Sequence, residues 1–173
     1  MLNRRTFLKT GVLGALALAA GGALYRTVQG AAPLQRYVLN GEARAVLVAI
    51  IPAIVGPMLP PGEAARNAAV ARTTDGVQQA VASLPLSTQK EVQDLFGLLA
   101  LAPARRLLAG VPAWSETTPA QAAAFLQDWR LHRLQMLQTA YHALHDLVLG
   151  AWYADPASWA AMGYPGPIKE LSR

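Results

Sequence analysis

The sequence predicts an all-α protein: one small domain of about four to six helices behind an N-terminal signal segment. Ala and Leu dominate, and no stretch beyond residue 30 alternates apolar with polar residues as a half-buried strand would. The punctuation is also helical, with Asn, Thr-Pro and Asp-Pro at starts and Gly or Pro at stops. At 173 residues the chain has room for one core, and its 53% hydrophobic content with 14% charge excludes a disordered chain. No internal repeat divides it.

The first element is residues 1–30. Arg4 and Arg5 open a charged stretch, Phe7, Leu8 and Lys9 follow, and a Leu/Ala/Gly run continues from Thr10 to Leu24. A basic segment ahead of a short apolar run is a signal peptide, and the paired arginines make it a twin-arginine export address. Only the first motif position departs from the usual Ser/Thr, with Asn3 in its place. The apolar run of about 15 residues is short of the roughly 20 that span a bilayer. Cleavage after Gly30 fits the small residues there, and a Sec-type signal or an uncleaved anchor is the alternative. Twin-arginine export carries folded cargo, which locates the mature chain in the periplasm, free or associated with the membrane.

The body follows as residues 31–173. Asn40 caps a helix through Val55, with Glu42 favourable in its first turn. Ala45–Leu59 is almost wholly apolar but covers only about 22 Å as a helix, and Pro52, Gly56 and Pro57 interrupt it, so a buried, Pro-kinked core helix is expected. A second helix runs from Glu63 to Ser83, weakened by Thr73-Thr74-Asp75-Gly76 and ended by Pro85. Thr88 and Glu91 form a capping box opening a third. Pro103 splits that helix, and Gly110 stops the piece beyond.

Thr118-Pro119-Ala120-Gln121 is the strongest local signal of the body: a cap, Pro at the first helical position and Gln at the third. From there to Tyr153 the chain is one long helix or two abutting ones. Leu134, Leu137, Tyr141, Leu144, Val148 and Trp152 form one stripe, and Ala140, Ala143 and Ala151 beside it let another helix come close. Asp155-Pro156 starts a short last turn carrying Trp159, and Met162 to Pro167 is an extended tail that lies across something.

The chain has no Cys, which excludes c-type haem attachment, thiolate zinc, iron–sulfur clusters, a cysteine nucleophile and disulfides. Arg4, Arg5, Lys9 and Arg26 hold most of the net charge of +5, because the other eleven basic residues stand against ten acidic ones. The body therefore lacks a basic stripe, and no nucleic acid is expected as a partner. His142, His145 and Asp146 are spaced to approach one another on a helix, with His132 upstream, which suits metal ligation. A helical wheel puts both histidines on the polar face with Gln135 and Gln138, opposite the apolar stripe, so a solvated face explains them fully and a metal site is the lesser alternative. Neither a phosphate-binding loop nor a nucleophile elbow is present. The sequence therefore predicts no catalytic residue, no metal ligand and no cofactor in this chain.

Aromatics carry the remaining signal. Trp152, Tyr153, Trp159 and Tyr164 fall within 13 residues of a chain with only four Trp, five Tyr and three Phe. Aromatic anchors on a proline-fixed segment lose little entropy on binding, so this segment is a candidate partner surface. With the twin-arginine leader and the apolar helix near Ala45–Pro57, the blocks Trp152-Tyr153-Ala154-Asp155-Pro156-Ala157-Ser158-Trp159 and Met162-Gly163-Tyr164-Pro165-Gly166-Pro167 give the chain a likeness to a family. It resembles the small subunit of membrane-associated flavin dehydrogenases of the gluconate 2-dehydrogenase subunit 3 type, whose relatives include the small subunits of bacterial glucose and fructose dehydrogenases.

That resemblance implies a hetero-oligomer. The large subunit would be a flavoprotein of the glucose–methanol–choline class carrying FAD. The small subunit would bind it, support its maturation and take it through the twin-arginine translocase, and a cytochrome subunit can complete the complex. The family offers no catalytic residues to carry over. Candidate interface residues are Ile50, Ile51 and Ile54 on the apolar helix and Trp152, Tyr153, Trp159, Tyr164, Pro165 and Pro167 at the C-terminus. The rival expectation is a free-standing periplasmic metal-binding protein or enzyme using His142, His145 and Asp146.

Overall fold

The computed structural model describes residues 36–166; the leader residues Arg4, Arg5, Phe7, Leu8 and Lys9, like Pro167, lie outside the described residues. Within them the chain is all-α. Its long helices are α1 (Gly41–Val55), α2 (Glu63–Ala82), α3 (Leu86–Ala100), α4 (Pro119–Arg130) and α5 (Gln135–Ala154), followed by the short α6 (Pro156–Trp159). No strand occurs among the described residues.

α1 begins where its cap predicts: the Asn40 side chain accepts from Ala43 N at 2.8 Å. Ala43, Val46, Leu47, Ile50 and Ile51 recur three and four apart and are buried, joined by Ala49 and Val55. α2, α3, α4, α5 and the 3₁₀ turn Trp114–Glu116 all pack on this helix, making it the axis of the core. Gly41–Met58 is long and apolar enough to cross a bilayer, but the fold uses it as a core helix with Pro52 inside. Burying Ile50 and Ile51 completely stabilises the domain by about 1.5–3 kcal/mol each.

α2 is continuous through the segment expected to weaken it. The Thr73 and Thr74 hydroxyls, both buried, donate to Ala69 O at 2.9 Å and Val70 O at 2.8 Å, so neither competes for a backbone group outside the helix. Gly76 has a positive use here. A Cβ at that position would stand 3.2 Å from Ala151 Cβ, so glycine lets α2 and α5 cross closely, as the small residues of α5 lead one to expect.

α3 corrects the expected start. Its first turn opens after Pro85, whose carbonyl accepts from Gln89 N at 2.9 Å, so Thr88 lies inside the helix and is not its cap. The reason is Gln89. Buried at 3% exposure, it donates to Leu84 O at 2.8 Å and Ala82 O at 3.1 Å and accepts from Tyr37 N at 2.8 Å. One side chain thus serves the end of α2, the connection and the incoming chain, which fixes α3 in a register begun by Pro85.

The break expected at Pro103 falls two residues earlier: α3 ends at Ala100, Leu101 is extended at ψ 121°, and Pro103 sits in the first turn of a new piece, Ala102–Ala104, that runs on into a five-residue π-helical stretch, Arg105–Ala109, halted by Gly110 at φ 67°. α4 then opens with the full reciprocal cap: Thr118 Oγ1 accepts from Gln121 N at 3.3 Å, and Gln121 Oε1 accepts from Thr118 N at 2.9 Å. The region from Pro119 to Tyr153 is two helices, broken at residues 131–134. Leu137, Leu144, Val148 and Trp152 of the expected stripe are buried, while Leu134 precedes α5 and is exposed.

Candidate functional site

The C-terminal aromatic segment is built from a sharp turn between α5 and α6. Asp155 caps α6 by accepting from Ala157 N at 2.9 Å, and its other carboxylate oxygen accepts from Arg72 Nε of α2 at 2.9 Å. The buried Ser158 hydroxyl sits 2.6 Å from Trp152 O and 2.8 Å from Asp155 O, sharing its one proton across the turn. α6 is thereby pinned to the end of α5.

Trp159 is the pivot. Its indole Nε1 donates to Tyr153 O at 2.9 Å, and its backbone carbonyl accepts from Tyr164 N at 3.0 Å. Gly163, at φ 68°, reverses the chain and brings the Tyr164 ring edge-on to Trp159 with centroids 5.2 Å apart. Gly166, at φ 93°, lies against the indole so closely that a Cβ would stand 3.2 Å from its Cζ3. The tail thus lies across Trp159, but not extended as expected: Met162 ends a 3₁₀ turn, Ala160–Met162, and Gly163 folds the chain back. Tyr153 at 50% and Tyr164 at 48% exposure remain open on this corner, with Pro165 exposed beside them. Chemically the corner offers aromatic faces, two phenols and a backbone held in place before any partner arrives.

The other interface candidates are placed differently. Ile50 and Ile51 are fully buried and Trp152 nearly so, which corrects the expectation that they face a partner. Four helices pack on α1, whose two isoleucines belong to the enclosed core, and the α5 stripe carries Trp152 into the same core. Ile54 is half-buried against that core.

His142 is exposed on α5, and His145 Nδ1 lies 3.3 Å from Asp146 Oδ1. Both histidine rings lie against Tyr141, with centroids 5.2 and 5.4 Å from it. His132 stands apart in the α4–α5 connection, where its Nδ1 accepts from Leu134 N at 3.1 Å. Among the described residues no three His, Asp or Glu side chains converge into a ligand set.

One further constellation carries little local signal in the sequence. Trp114, Phe125 and Trp129 stack edge-on in series, with centroids 5.4 and 4.7 Å apart. Trp114 Nε1 donates to Leu99 O and Trp129 Nε1 to Leu108 O, both at 2.8 Å. Arg105 donates to Pro112 O at 2.8 Å and Ala100 O at 3.2 Å. Together these side chains satisfy carbonyls around the break after α3 and its π-helical stretch. The four-residue spacing of Phe125 and Trp129 was a visible signal for their shared face; the carbonyls they reach were not. No family model, curated protein or solved structure matches the chain.

Proposed function

We propose that this chain is a non-catalytic small subunit that binds a FAD-dependent dehydrogenase of the glucose–methanol–choline class, supports its maturation and carries it through the twin-arginine pathway to the periplasm. The observation that carries this reading is the aromatic corner. The residues on which the family resemblance rests form a fixed, half-exposed ledge around Trp159, with Tyr153 and Tyr164 outward. An aromatic ledge held by hydrogen bonds to its backbone suits a standing protein–protein contact, where such residues supply most of the binding energy.

The twin-arginine leader supports the export half of the proposal. A chain with that leader and no recognisable cofactor motif makes sense as an escort whose cargo holds the flavin. Subunit association in the cytoplasm, passage as one folded complex, and a cytochrome joining afterwards form the proposed sequence.

The test is a pull-down from periplasm through a tag on this protein, with an absorption spectrum of the co-purified material. A second polypeptide with flavin absorbance is the expected outcome, and Arg4→Lys with Arg5→Lys should strand both chains in the cytoplasm. A single colourless polypeptide, recovered whichever end carries the tag, would overturn the proposal.

A further inference from the structure

The connection between α4 and α5 presents an unusual surface. Leu131 is 67% exposed, Met136 60% and Leu134 45%, so three aliphatic side chains stand in solvent within six residues. Arg130 and Arg133 are exposed among them, and neither forms an ion pair among the described residues. The acid nearest in sequence, Asp128, is two positions before Arg130 on α4, hence about 200° around the helix, and lines a groove with Leu107 and Phe125. Trp129 Nε1 bonded to Leu108 O places the exposed Arg106 and Leu107 at this same end of the domain.

The corner is not a loose loop. The carbonyl of His132 accepts from Gln138 Nε2 at 2.7 Å, and His132 Nδ1 accepts from Leu134 N at 3.1 Å. Leu131 N donates to Gln127 O at 3.2 Å, and His132 N to Trp129 O at 3.3 Å. Four hydrogen bonds thus hold the main chain of this corner in place, so contact has little backbone left to order.

Apolar tips interleaved with arginines match one chemical environment closely. Aliphatic side chains enter the boundary between headgroups and acyl chains, while guanidinium groups stay on the phosphates above. A negative surface potential supplies the complementary charge. We propose that the Arg130–Met136 corner seats this domain on an anionic lipid bilayer, with Leu131, Leu134 and Met136 inserted and Arg130 and Arg133 on lipid phosphates.

The leader is itself basic and apolar, so vesicle binding by the full chain cannot alone locate the contact. The absence of cysteine makes a local readout possible. Leu131→Cys, and separately Met136→Cys, would carry a polarity-sensitive fluorophore, with Glu91→Cys on α3 as the reference. On vesicles of equal phosphatidylglycerol and phosphatidylcholine, both corner labels should shift to the blue and be quenched by lipid-borne quenchers. On phosphatidylcholine alone they should not, and the label at Glu91 should stay in water throughout.

Arg130→Glu and Arg133→Glu in the labelled chain should each weaken the corner signal at least roughly fivefold in apparent affinity. The proposal is overturned if the protein reaches the vesicles while both corner labels remain in water, since the leader would then be the whole anchor. It is equally overturned if the arginine changes leave the signal intact, or if the labels respond only to an acidic protein surface.

Discussion

Four helices and a 3₁₀ turn pack on α1, and its Ile50 and Ile51 keep no surface in water; at Tyr153 and Tyr164 the short α6 and a reversing tail provide the cover, and each residue stays half exposed. The two regions look alike in composition, each apolar and each adjoining prolines. What separates them is the number of elements that can reach them. A central helix in a small bundle is approached from several directions, whereas the segment at the end of the last long helix is covered by its own turn and reached from α2 only by Arg72 at Asp155. Apolar character therefore marks a region for burial, but the topology decides whether the burying is done by this chain or left to a partner.

The largest test of that contrast is truncation on the core side. Ile50→Ala or Ile51→Ala should each cost about 2–5 kcal/mol, since each leaves a cavity where helices already touch. Urea unfolding followed by circular dichroism checks this, and a loss well below 1 kcal/mol would mean that α1 is less enclosed than described. The molecules still folded should capture the partner normally, because neither side chain reaches the surface.

The seam between α2 and α5 lies between the two regions, since α5 runs from the core to the corner. Gly76→Val puts branched bulk where even a Cβ meets Ala151 at 3.2 Å. Overpacking of this kind costs about 1–3 kcal/mol. Its effect should extend to the corner, because α5 must move away and Arg72 of α2 holds Asp155 at the start of α6. A fall in thermal stability together with a changed Trp159 fluorescence environment is the expected pair of observations; a stabilised variant would show that the seam has slack.

Much of this was legible because its causes are local. The Asn40, Thr118 and Asp155 caps each act within three residues, and Gly110 stops its helix at its own φ. The start of α3 was misread for the opposite reason: Gln89 looks like the second residue of a capping box, but its register is set partly by Tyr37, 52 positions away. Trp114 and Trp129 serve carbonyls 15 and 21 positions distant, and no spacing rule reports such pairs. The same limit applies to the candidate site. Its aromatic content was evident, and the helical stripe through Leu144 and Val148 already turned Trp152 inward; how α6 and the reversing tail leave Tyr153 and Tyr164 half open depends on tertiary packing that spacing does not report.

Tyr37 sharpens the contrast from the core side at little cost in stability near neutral pH. Its phenol is buried with no hydrogen-bond partner among the described residues, and burial holds its ionisation well above the usual tyrosine range. The unfolded chain releases this proton near pH ~10, whereas the folded chain keeps it. The folded state then binds more protons, so stability falls as pH rises beyond that point, by about 1.4 kcal/mol per unit until the folded group also ionises. Tyr37→Phe should be neutral or slightly stabilising at pH 7 and should remove this alkaline decline. Melting temperatures from pH 8 to 11 would decide, and an unchanged alkaline slope would show that the phenol is not enclosed.

The smallest expected change in stability belongs to the surface side and carries the functional contrast. Tyr153→Ser removes a half-exposed ring but leaves the backbone carbonyl that accepts from Trp159 Nε1, so the pinning of α6 is untouched. Surface changes of this kind fall within about 0.5 kcal/mol. If the corner is the partner contact, the folded variant should nevertheless lose capture of the flavoprotein at least tenfold, and Tyr153→Phe, which keeps the ring, should restore most of it. Equal capture by Tyr153→Ser and the unaltered chain, at equal stability, would separate the aromatic corner from the interface and shift attention to the other exposed faces of the domain.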